Sequence, residues 1–97
     1  MEAAMAVHEI QSQSARTDTG VILRSVDREN MRAEYQGRRI LLGVERGVGT
    51  DVVYLPKTPA WEDGEPISAE DLAVVKDGVV EILRHWGSAT EFYTLSV

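Results

Sequence analysis

Cysteine is absent from the 97-residue chain, which excludes disulfides, thiolate metal sites and a cysteine nucleophile. Histidine occurs twice, as His8 and His85. Neither has a partner at metal-ligand spacing, and there is no HExxH or related cluster, so no metal and no cofactor are expected. No apolar run approaches the roughly 18 residues a membrane helix needs. The opening MEAAMAVHEIQSQS lacks both the basic start and the apolar centre of a signal peptide. A cytoplasmic protein, with no membrane partner, is the expectation. Aromatic residues make up only 6% of the chain. Tyr35 alone is interleaved with Arg24, Arg28, Arg32, Arg38 and Arg39, so the stacking surface of a single-strand binder is missing and no nucleic-acid partner is expected. A solvated sheet face, with the arginines paired to Glu29, Glu34 and Glu45, is the plainer reading of them.

Charge is plentiful but uneven. The net charge is −6. Residues 16–46 carry seven arginines against five acids, whereas residues 47–97 carry nine acids against Lys57, Lys76 and Arg84. An acidic C-terminal half steers toward a basic partner; equally, it keeps a small domain soluble.

The strand signals are short and closely spaced. VILRSV (21–26) is β-branched and DREN (27–30) is a turn cluster. MRAEYQ (31–36) alternates, with Met31, Ala33 and Tyr35 on one face. Gly37 starts a turn, and in RRILLGVER the residues Ile40, Leu42 and Val44 share a face. The glycine-rich RGVGTD (46–51) reads as a hairpin loop, because the lysine and the following helix of a phosphate-binding loop are missing. DVVYLP (51–56) is a strand that Pro56 ends, and EFYTLSV reads as a last strand. Residues 1–19 form an undecided segment: AVHEIQSQ suits an edge strand, SARTDTG reads as a polar turn, and Met1–Ala4 are expected to fray.

One helix is well marked. Ser68 caps it with Asp71 at the third helical position, and Ile67 and Leu72 form a hydrophobic staple. Leu72, Val75, Val79, Ile82, Leu83 and Trp86 recur at three- and four-residue spacing, and Gly87 supplies the stop. The helix is about 27 Å long, enough to cross four strands. Gly78 interrupts it at a cost of about 1 kcal/mol against alanine, which suggests close packing. The expected fold is α+β: a single domain over residues 20–97, with a mainly antiparallel sheet of four to six strands and one long amphipathic helix on one face.

The stretch KTPAWEDGEPIS (57–68) remains. Glu62, Asp63 and Glu65 lie on a short segment beside Trp61, and Glu70 and Asp71 follow at the helix start. Calcium-loop spacing is absent, and adjacent loop carboxylates do not flank a cleft as glycosidase acids do. There is no GxSxG elbow. Trp61 has two readings: a lid folded over the core, or an exposed anchor inside a charged rim, as at an interface hot spot.

A glycine-led strand run, a tryptophan loop and a proline-initiated acidic helix resemble the bacterial polymorphic-toxin immunity proteins, in particular the Immunity protein 74 family. The matching positions are Gly20, Trp61, Pro66, Ile67, Ser68, Glu70, Ile82, Gly87 and Phe92, over about residues 20–97. The resemblance implies a small cytoplasmic protein that binds and silences a cognate toxin, with no catalytic residues. The leading expectation is therefore a non-enzymatic binding protein. Its partner-binding residues would be Trp61, Glu62, Asp63, Glu65, Glu70 and Asp71, and its partner a protein toxin, suitably a basic one. The alternative is a self-associating module in which a strand edge pairs two copies as a homodimer. A small enzyme or ligand-binding domain is the weaker third reading, since it needs a concave pocket.

Overall fold

The computed structural model describes residues 6–95. Seven strands and one helix follow in chain order: β1 (Val7–Gln11), β2 (Ser14–Thr17), β3 (Ile22–Ser25), β4 (Asn30–Tyr35), β5 (Arg38–Glu45), β6 (Thr50–Leu55), α1 (Ala69–His85) and β7 (Ala89–Thr94). The sheet order is the chain order, every pair antiparallel except β6 and β7, which run parallel. The α+β class and the single amphipathic helix are as expected, but the strand count exceeds the expected four to six.

The extra strand lies where a polar turn was expected. Within SARTDTG, Ser14, Ala15 and Thr17 are buried, and β2 pairs with both β1 and β3. Two of these residues carry hydroxyls, which hides the strand from hydropathy. Inside, the hydroxyls are satisfied: Thr17 Oγ1 accepts the Val21 N–H at 3.2 Å, and Ser14 Oγ accepts from Arg24 at 3.2 Å. Residues 7–17 are thus part of the sheet and of the same domain. The expected fraying of Met1–Ala4 lies outside the described residues, as do the last two positions of EFYTLSV.

Turn chemistry sets the register. Gln36 and Gly37 both have positive φ, 53° and 77°, so a two-residue turn of the twist-matching kind joins Tyr35 to Arg38. Met31, Ala33, Ile40, Leu42, Val44, Val53 and Leu55 then point to one face, where they meet Val75, Val79, Ile82 and Leu83 of α1. Burying a large side chain of this kind contributes about 1.5–3 kcal/mol. Leu72, Ile67 and Trp86 pack at the margin of the same core.

The helix ends are built as their residues dictate. Ser68 Oγ accepts the Asp71 N–H at 3.1 Å. At the other end Gly87, at φ 92°, donates to Arg84 O, and Ser88 donates to Leu83 O, both at 2.9 Å; this pair of bonds is the Schellman stop. Gly78 faces the strand layer so closely that a Cβ there would lie 2.5 Å from Val21 Cβ. Glu9 of β1 ties the edge strand to the helix end, accepting from Trp86 Nε1 at 2.9 Å and pairing with His85 Nε2 at 3.2 Å.

Candidate functional site

The alternation of strand directions gives the domain two ends. One holds the β4–β5 turn, the segment 56–68 and the helix start; the other holds the β1–β2, β3–β4 and β5–β6 turns and the helix end. All six residues of the sequence-derived site lie at the first end.

Trp61 does not stand at the surface. It is only 3% exposed and belongs to the core, so the anchor reading gives way to the lid reading. The physical reason is geometric: β5 pairs with β6 only over Gly43–Glu45, and the segment after β6 fills in beside the uncovered half. The Glu62 N–H donates to Arg39 O at 2.8 Å, continuing the sheet edge, and this turns Trp61 inward. Its Nε1 is buried without a hydrogen-bond partner.

The loop above that root is tightly specified. Ala60 and Pro66 form an antiparallel bridge. Trp61 N–H donates to Glu65 O, and Gly64 N–H, at φ 93°, donates to Trp61 O, both at 2.8 Å. Asp63 Oδ1 accepts the Glu65 N–H at 2.9 Å, an Asx turn. Two arginines fasten the loop to the strands. Arg32 Nε donates to Glu62 at 2.9 Å; Arg38 donates to Asp63 at 3.3 Å while its guanidinium lies 5.7 Å from the Trp61 ring centroid. These are exposed pairs, each worth about 1 kcal/mol or less. Glu62 and Asp63 thus have internal partners. Glu65 and Glu70 project into solvent and Asp71 is half-buried at the first helical turn, on either side of Pro66–Ser68.

Sequence reasoning did not find Arg32 and Arg38 as partners of the acids, because they lie 30 and 25 residues earlier. It also read the sheet face opposite the helix only as a solvated face of paired arginines and glutamates, and missed its tyrosines. There Tyr54 and Tyr93 meet edge to face with centroids 5.9 Å apart, and Tyr54 donates to Glu45 at 2.6 Å, which raises the Tyr54 pKa above its ordinary 10.0. Leu41 and Tyr93 on this face are 46% and 58% exposed. The one signal was the outward half of the alternation in β5 and β6.

At the second end, an open depression is lined by Glu9, Asp27, Glu29, Arg46, Tyr54 and Trp86 among others. Its polar groups are largely engaged with one another. Arg46 reaches Asp51 and Ser25, each at 3.4 Å. Asp27 accepts from the Glu29 N–H and then from the Asn30 side chain, which together hold its carboxyl below the ordinary value. Among the described residues, no three His, Asp or Glu side chains are grouped to hold a metal ion, and no helix is long and apolar enough to cross a membrane. Comparison of the chain with protein-family models, with curated proteins and with solved structures finds no match.

Proposed function

We propose that the protein is a non-enzymatic, immunity-type binding protein, cytoplasmic, that neutralises a cognate toxin by direct contact. The surface for this role is the acidic end of the domain: Glu65, Glu70 and Asp71, with Glu62 and Asp63 as the arginine-paired flank. Trp61 serves as the buried root of the surface, not as its anchor. The observation that carries the reading is the preorganisation of the loop. A bridge, two backbone bonds, an Asx turn and a buried tryptophan hold residues 60–66 in one shape before any partner arrives. The same bonds hold Trp61 over the open half of β5, and a docking surface built on them gains affinity by avoiding an ordering cost. Exposed carboxylates at a rim act chiefly on the association rate and its salt dependence, and they select a basic partner.

The test is binding to the product of the adjacent gene, measured by calorimetry at two salt concentrations. The variant combines Glu65→Lys, Glu70→Lys and Asp71→Lys. The expected result is an affinity at least about tenfold lower, measured below the melting temperature, which falls by several degrees because Glu70 and Asp71 leave the first turn of α1. No binding by the parent, or equal binding by the variant, would sink the assignment.

A further inference from the structure

The sheet face turned away from α1 has a charge pattern that a single copy satisfies only in part. Cross-strand register arranges that face in rows. Ile22, Glu34 and Arg39 stand side by side; in the next row Arg24, Arg32 and Leu41 do so. The third row runs Asn30, Gly43, Tyr54 and Tyr93, and the fourth runs Glu45, Val52 and Glu91. Arginines therefore gather at the β3–β5 corner of the first two rows, and glutamates at the β5–β7 corner of the fourth. Between them lie Leu41, Val52 and the two tyrosines. The Tyr54 ring lies against β5 at Gly43, where a Cβ would be in ordinary contact with it, 3.6 Å from Tyr54 Cβ and 3.7 Å from the ring.

Within one molecule part of this pattern is balanced, since Glu34 stands directly opposite Arg39 and Glu45 accepts from Tyr54, and part is not. Arg24 and Arg32 are directly opposed, and like charges at that position repel. Glu62 relieves Arg32, while among the described residues Arg24 bonds only to the neutral Ser14 hydroxyl. At the other corner Glu45 and Glu91 flank Val52 with no cation in their row.

We infer that this face docks a second copy of the chain, face to face, about a two-fold axis lying in the interface between the corners. Such an axis lays the arginine corner of each copy on the glutamate corner of the other, so both contacts form at once, and Leu41 and Tyr54 meet their counterparts near the axis. The inner faces of packed sheets lie about 10 Å apart, enough for these side chains to interleave. Five strands at about 4.8 Å and some 18 Å of strand length give a footprint of roughly 430 Å². That is well under the ~800 Å² per partner of a stable complex. The dimer is accordingly weak, and it meets the acidic end only through Arg32, the partner of Glu62.

Sedimentation velocity from about 10 µM to about 1 mM tests the inference. The expected mass rises from the 10.7 kDa monomer toward twice that value. Glu91→Arg alone, or Arg24→Glu alone, weakens association at least about tenfold. The two together, which exchange the corners, restore it to within about threefold. Arg39→Glu replaces Arg24→Glu if that variant melts early. A monomer at every concentration overturns the inference. So does a dimer that both single reversals leave intact, which would point to strand-edge pairing, or a double variant that stays monomeric.

Discussion

Replacing Gly78 with alanine sets two effects against each other, and the geometry decides between them. Alanine removes a helix-interior glycine, a gain of about 1 kcal/mol. Its Cβ, however, would sit 2.5 Å from Val21 Cβ, 2.7 Å from Cγ1 and 2.8 Å from Cγ2, where carbon atoms prefer about 3.5–4.0 Å. Val21 is fully buried and tied by its N–H and C=O to Thr17, so it has little room to retreat. Overpacking of this kind costs about 1–3 kcal/mol, and a β-branched neighbour without freedom puts it at the upper end. The net expectation is a loss of about 2 kcal/mol, or a melting temperature lower by about 8–16 °C in a domain this size. Urea unfolding should show a lower midpoint with an unchanged slope. In a Val21→Ala background the loss should shrink without vanishing, because the closest atom is the Cβ that alanine keeps. In Val21→Gly the same change should stabilise by about 1 kcal/mol. A Gly78→Ala protein that melts above the parent would refute the packing argument.

Trp61→Ala should cost about 3–5 kcal/mol, while Trp61→Phe should cost under about 2 kcal/mol because the indole N–H it removes has no partner; chemical unfolding distinguishes the two. Folding lowers the Asp27 pKa from its ordinary 3.8, chiefly through the Glu29 N–H and then the Asn30 side chain. Its contribution is therefore present above pH 3.8 and disappears as pH falls through the folded value, so Asp27→Asn should melt below the parent at pH 7 and level with it in strong acid. Tyr54 should ionise above 10.0, because ionisation removes the proton it gives to Glu45; in Glu45→Gln a spectroscopic pH titration should find that value lowered.

The elements that could be read from the sequence are those whose causes are local. The Ser68 cap, the Gly87 stop and the Val75–Leu83 stripe all lie within a few residues of what they determine. So does the alternation of Met31 and Ala33 or of Ile40 and Leu42. β2 escaped because its buried positions, Ser14, Ala15 and Thr17, are small or hydroxylated, and their fitness for the interior depends on partners such as Val21 and Arg24. The strand after α1 was legible, but its parallel alignment on β6 was not, since the pairing spans the whole helix. The candidate site divides in the same way. Local chemistry explains why Pro66–Ser68 starts a helix. The direction of Trp61 depends on Arg39 offering a carbonyl to Glu62, a contact between residues distant in sequence.

The single parallel pairing also bears on how the chain is made. As the polypeptide leaves the ribosome, β1 to β6 can pair one after another through short turns, a low-contact-order process. β7 closes on β6 only after the helix has been synthesised, with Thr50 waiting for Ala89; the Glu9–Trp86 bond spans 77 residues. Until then the outer edge of β6 is bare and the apolar face of the meander has no cover. The nascent protein therefore passes through a stage that is almost fully paired yet open to intermolecular strand addition, and its last third acts as the closure that ends the exposure.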